Sequence, residues 1–346
     1  MKKILGMGNA LVDIMIPLES DNILELLALP KGSMQLVDME RSNAVLSALK
    51  GYEKSHSAGG SAANTIHGLA MLGAQTGYIG VVGEDELGGF FVRDLIKAGV
   101  DPHMIHSNME TGRAVALVTP DSERTFATFL GAAIELSAEH LAPPLNPPLQ
   151  GKGAGNESVM HFSGKSIFSG YSYFHIEGYL VQNHKLIRRA VELAQEHGLI
   201  VSLDMASYNV VEANRDFLLS IIAEYVDIVF ANEDEARALT GLEPEEALQE
   251  LSKLSEIAVV KTGSNGSLVK SGKDQYAIGV IEVTPIDTTG AGDLYASGFL
   301  YGLSTGLPLQ KCGELGAMLA GNVIEFMGAK MPEDRWQKIK SEINHN

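Results

Sequence analysis

Cysteine is almost missing from this chain: Cys312 is the only one among 346 residues. A lone thiol excludes an internal disulfide and argues against a structural zinc site, and it suits a reducing, cytoplasmic setting. Positive charge is scarce as well. The 26 Lys and Arg against 43 Asp and Glu leave a formal net charge of −17, so no nucleic-acid partner is expected. An acidic protein that handles an anionic ligand must supply positive potential locally, from helix ends, a bound cation or a few Lys and Arg. No apolar run is long enough to cross a bilayer, and no membrane partner is expected. The opening "MKKILGMGNALVDIMI" has the outline of a signal peptide, but Gly6, Gly8, Asn9 and Asp13 interrupt it; a first strand running into a loop is the better reading. The ten histidines contain no pair at the i, i+4 spacing of a helical zinc site.

What is present is ordinary globular composition, 45% hydrophobic and 20% charged. Short apolar runs alternate with helical patterns, as in "AANTIHGLAMLGA" followed by "TGYIGVVG", or "HKLIRRAVELAQEHG" followed by "LIVSLDM". That rhythm predicts an α/β fold, a mostly parallel central sheet with helices on both faces. "LIVSLDM" and "VDIVFAN" lack alternation, as strands buried on both faces should. Polar and apolar residues alternate over about 14–38 and 102–130, which predicts a small β-layer outside the main sheet, a lid. The Pro- and Gly-rich stretch at about 142–170 has no period and is expected to be an inserted loop within a single domain spanning 1–346.

Two motifs fail on inspection. "GMGNAL" has Leu11 where a dinucleotide fingerprint needs glycine, and "GKS" at 164–166 has Val159 where a P-loop needs glycine. Any nucleotide must be held in another way. The strongest candidate is "DTTGAGDLYASGFLYG", 287–302. Gly290, Ala291 and Gly292 lead straight into a helix whose bare N–H groups can hold an anion, and Asp293 follows at once. Asp293 is either a helix-dipole partner or a base that takes a proton from an attacking hydroxyl. In "AGGSAANT", Gly59 and Gly60 precede Asn64, which either caps a helix or bonds a polyhydroxylated ligand; Asp13 could accept from the same diol. In "FANEDEA", Asn232 and Glu235 follow a buried strand, where open α/β sheets place ligands, although on composition alone a helix start rich in acids explains them better. "VVKTGSNGS" offers Thr262, Gly263 and Gly266 as a nucleotide edge or a plain hairpin.

Taken together and in this order, "GGSAANT", "NEDE", "KTGSNGS" and "DTTGAGD" resemble the ribokinase/PfkB-type carbohydrate and nucleoside kinases, and "KGSMQLVD", "VTPDSERTFATFLGAA" and "IEGYLV" are similar to the adenosine-kinase-like group within them. The resemblance implies a ribokinase-like fold with a β-lid and transfer of phosphate from ATP to the 5′-hydroxyl of a ribonucleoside, adenosine first, in purine salvage. It implies Asp293 as base with Gly290, Ala291 and Gly292 as anion hole, and Asn9, Asp13, Gly59, Gly60, Asn64 and Glu177 around the ribose. It further implies Asn232 and Glu235 organising Mg²⁺ and its waters, Thr262, Gly263 and Gly266 bordering ATP, Asn322 beside the adenine, and Asp287 and Thr289 binding K⁺. Met34, Leu36 and Phe126 around a base-sized pocket would favour a nucleoside over a free sugar. Arg124 would touch phosphate or stabilise its turn. The chain departs from the resemblance at 203–211, "LDMASYNVV" in place of "LSDPFCV". The alternatives are a kinase for ribose, fructose or a related sugar, another nucleoside such as inosine or guanosine, or a non-catalytic binder on the same fold. A monomer and a homodimer are both compatible with the sequence.

Overall fold

A computed structural model describes residues 1–121, 123–141 and 166–345. The first eight strands are β1 (Ile4–Met7), β2 (Leu11–Pro17), β3 (Met34–Leu36), β4 (Ser55–Gly59), β5 (Thr76–Gly83), β6 (Val100–Ser107), β7 (Gly112–Val118) and β8 (Arg124–Phe129). Six follow: β9 (Tyr173–Glu177), β10 (Ile200–Asp204), β11 (Ile228–Asn232), β12 (Ile257–Lys261), β13 (Ser267–Ser271) and β14 (Asp274–Ile278). Among the described residues they form a nine-stranded sheet, order β14-β13-β12-β11-β10-β9-β1-β5-β6, and a five-stranded sheet, order β3-β8-β7-β2-β4. The large sheet is parallel from β12 to β6, and only β13 is reversed, pairing antiparallel with β12 and with the edge strand β14.

Its strands read as continuous apolar runs because helices cover both faces. On β11, Ile228 and Phe230 enter one apolar core, while Val229 and Ala231 enter the core on the opposite face. The helices Ser61–Met71 and Ala291–Thr305 lie against each other, joined where Ser297 Oγ donates to the Thr65 carbonyl at 2.7 Å. Among the described residues no helix is long and apolar enough to cross a membrane.

The boundaries expected for the small layer need correction. Residues 100–107 are β6, which pairs parallel with β5 in the large sheet. Their alternation reflects an edge strand with one open face, so the pattern at 102–107 marks an edge and not the second layer. The small sheet instead recruits β4 and starts at Leu11. Most of the expected insertion, 142–165, lies outside the described residues; just after it, Phe168 packs edge-on against Phe174 at 5.1 Å.

Candidate active site

Parallel strands deliver their last residues to one side of a sheet, and here those residues are charged or polar. β9 ends at Glu177, β10 at Asp204, β11 at Asn232 and β12 at Lys261, with Asp204 opposite Glu177 and Asn232 opposite Lys261. The loop after β1 adds Asn9. The small sheet stands over this edge and closes a cavity of about 1470 Å³. A single drug-sized ligand needs roughly 300–1,000 Å³, so the space suits two substrates side by side.

Asp293 sits in the first turn of the helix Ala291–Thr305, with its carboxylate held from both sides. Ser61 Oγ donates to one oxygen at 2.7 Å and Asn64 Nδ2 to the other at 2.9 Å. Burial pushes its pKa up to about 6, against the lowering effect of those two donors. Gly290 precedes the helix at φ 76°, a left-handed position, and a methyl group there would lie 2.4 Å from Ala329 Cβ. Among the described residues the amides of Gly290, Gly292 and Asp293 have no acceptor, whereas Ala291 N–H turns back to the Thr288 carbonyl at 3.2 Å. The Ala291 amide is therefore used by the turn that opens the helix, and of the three expected anion-hole residues Gly290 and Gly292 are the ones with open amides.

Across from Asp293 the expected acceptor-side residues come together. Asn9, Asp13, Gly60, Asn64 and Glu177 all line the cavity. Gly59 lies behind Asp13: a Cβ at Gly59 would sit 2.3 Å from that carboxylate, so only glycine admits Asp13 to its position. Burial raises Asp13 to about 7. Asn64 Oδ1 is buried with no donor among the described residues. Glu177 is satisfied by the chain itself, accepting from Asn9 N–H at 2.9 Å, Asn9 Nδ2 at 2.6 Å and Ala62 N–H at 3.0 Å. It is thus a clamp between the β1 loop and the helix Ser61–Met71. Met34, Leu36 and Phe126 of the small sheet form the apolar wall.

On the other flank Asn232 and Glu235 close a reciprocal capping box, Glu235 N–H to Asn232 Oδ1 at 2.8 Å and Asn232 N–H to Glu235 Oε2 at 2.7 Å. Burial lifts Glu235 to about 7. Among the described residues no group of three His, Cys, Asp or Glu is placed to hold a metal. On this flank Glu235 and the Lys261-paired Asp204 are the carboxylates lining the cavity, a donor set that fits a hydrated Mg²⁺ carried in on phosphates rather than a resident ion. Thr262, Gly263 and Gly266 form the turn between β12 and β13, outside the cavity lining. Asn322 is also outside it, its amide spent on the Met318 carbonyl and Arg335 Nη1, each at 2.8 Å.

The pair expected to bind K⁺ has another partner. Arg124, the first residue of β8, forms an ion pair with Asp287 and donates to Thr289 Oγ1. Asp287 also accepts from Thr289 N–H at 2.9 Å and from Gly328 N–H. A guanidinium from the small sheet therefore stands where a monovalent cation was expected, and the site does not fit K⁺. Two further cavity residues, Asp204 and Lys261, escaped the reading of the sequence; Lys261 Nζ meets Asp204 Oδ2 at 2.8 Å. Their position at the ends of non-alternating strands was the signal that could have found them. The departing segment 203–211 lines the cavity through Ala206, Ser207, Asn209 and Val210, with Ala206 in the left-handed region at φ 65° and its N–H bonded to Asp204 Oδ1 at 3.0 Å.

A ribokinase-like fold with a carboxylate beside free helix-start amides defines a phosphotransferase that acts on an alcohol group. The chain belongs to the pfkB family of carbohydrate kinases, whose description matches residues 33–335. It is similar to a probable sugar kinase from Rhizobium etli, with a TM-score of 0.84 and 32% identity over 99% of this chain and 98% of that one. It is also similar to the adenosine kinase of Sinorhizobium meliloti, with a TM-score of 0.83 and 31% identity over 99% of both chains. A 5-dehydro-2-deoxygluconokinase from Geobacillus thermodenitrificans is 26% identical over 83% of this chain and 84% of its own length. The chain is accordingly a nucleoside or sugar kinase, with ATP as the co-substrate its family implies.

Proposed function

We propose that the chain transfers the γ-phosphoryl group of ATP to the 5′-hydroxyl of adenosine, giving AMP and ADP. The observation that carries this reading is that Met34, Leu36 and Phe126 line the same cavity as Asp13 and Asn64, an apolar platform for a base beside donors and acceptors for a ribose diol. Asp13 and Asn64 Oδ1 accept the ribose hydroxyls. The 5′-oxygen then lies toward Asp293, which takes its proton as the oxygen attacks phosphorus. The bond between γ-phosphorus and the bridging oxygen breaks, and ADP leaves with the electron pair. Gly290 and Gly292 N–H groups meet the charge that develops on the equatorial oxygens. Mg²⁺, when bound with ATP near Glu235, offsets phosphate charge. The nucleotide extends toward the 262–266 turn and Asn322. The small sheet excludes water from the transfer as a lid.

A free sugar as acceptor is the second reading, favoured by the sugar-kinase relatives at comparable identity. ADP release with adenosine, inosine, guanosine, ribose and fructose separates the two. Turnover with adenosine at least tenfold above every sugar is expected; preference for a sugar would overturn the choice of acceptor and leave the kinase intact.

A further inference from the structure

The cavity carries a charge problem. Among the described residues five carboxylates line it, Asp13, Glu177, Asp204, Glu235 and Asp293, and Lys261 is the only lysine or arginine. A triphosphate entering that field is repelled unless cations meet it. Lys261 is placed to do so. A methyl group on Gly292 would lie 3.1 Å from Lys261 Nζ, so the ammonium stands directly beside the anion-hole turn, near the base Asp293. Its only hydrogen bond among the described residues is to Asp204, which leaves further N–H donors on the ammonium. Both partners are largely buried, 16% and 8% exposed, and a buried ion pair is a poor source of stability by itself. Retaining a lysine at this depth makes physical sense if its charge is used by a ligand.

We propose that Lys261 is a catalytic residue that contacts the transferred phosphoryl group, with Asp204 as the positioning residue that holds its ammonium against Gly292. The inference rests on the kinase reading above but not on the identity of the acceptor. As the bridging oxygen leaves γ-phosphorus and the acceptor oxygen arrives, Lys261 meets the charge on the equatorial oxygens alongside the Gly290 and Gly292 amides, while Asp293 keeps the acceptor's proton.

The alternative role, a counterion for a buried Asp204, gives opposite results in a paired substitution. Lys261→Met, Asp204→Asn and the double variant are compared by thermal unfolding, by ADP release, and by equilibrium affinity for MgATP and MgADP. Lys261→Met is expected to lower kcat about 100-fold. The double variant recovers the melting temperature, since no unpaired carboxylate remains, but not turnover. In both, affinity for MgATP falls at least tenfold relative to MgADP, because the terminal phosphate has lost its contact. A double variant within tenfold of wild-type turnover, or an unchanged MgATP to MgADP ratio, overturns the proposal. If the wild-type protein does not turn over adenosine, the choice of acceptor fails, and the affinity ratio still decides the role of Lys261.

Discussion

The two sheets meet the cavity with different chemistry. The large sheet offers strand ends, Glu177, Asp204, Asn232 and Lys261, fixed by parallel registers and by cores on both faces. The small sheet offers Met34, Leu36 and Phe126, and brings Asp13 and Arg124 as charges toward the other. Met34 and Leu36 are 52% and 62% exposed, so this apolar surface is not spent on the protein's own core. Rigid placement of charge on one side and adaptable apolar contact on the other is what a group-transfer enzyme needs. Chemistry demands sub-ångström positioning, whereas acceptor choice needs surface area.

Several substitutions would break or sharpen that division. The largest effect belongs to the large-sheet side. Asp293→Asn keeps the bonds from Ser61 and Asn64 in outline but cannot take a proton, so kcat is expected to fall by about 10²–10⁴ with KM for the acceptor nearly unchanged. Steady-state ADP release measures it, and near-native turnover would remove Asp293 from the role of base.

Next comes the ion pair between Arg124 of the small sheet and Asp287. Arg124→Ala leaves Asp287, 2% exposed, without its cation, and breaking such a pair costs about 3–5 kcal/mol. Urea unfolding reads the loss directly. A change below about 1 kcal/mol would mean that the ion pair does not join the sheets in solution.

The pH dependence follows from the raised carboxyl of Asp293. A base with a pKa of about 6 is ionised above that value and protonated below it, so kcat/KM is expected to hold from pH 7 to 8. It should fall about tenfold per unit on the acid side of 6. A flat profile down to pH 4.5 would place the catalytic proton elsewhere. Phe126→Ala then tests the small sheet alone. It should raise KM for adenosine about tenfold with little change in kcat, an effect absent for a free sugar acceptor.

These contrasts also mark what was legible in the chain. The parallel sheet could be read from unbroken apolar runs such as "VDIVFAN", because burial on both faces leaves a local trace. Asp293 was legible since its glycines, helix start and carboxylate are neighbours in sequence. Asp204 and Lys261 were not, because one acid and one lysine at two strand ends have no shared local pattern; only the strand order brings them to 2.8 Å. The edge strand β6 was mistaken for part of the small layer because alternation reports one exposed face and not which sheet carries it.

Long-range pairing also decides the smallest expected effect. Asp287 and Thr289 resemble a monovalent-cation site only while their sequence is read alone. In the fold both receive Arg124, and the remaining bonds to the Asp287 carboxylate come from Thr289 N–H and Gly328 N–H. A guanidinium tethered to β8 supplies the charge that a bound ion would, and its contact forms only when the two sheets are together. Exchanging K⁺ for Na⁺ or choline at constant ionic strength should therefore change kcat by less than about twofold. Tenfold activation by K⁺ would mean that Arg124 leaves Asp287 during turnover, and the same titration on Arg124→Ala would then show whether the ion takes the place the arginine vacates.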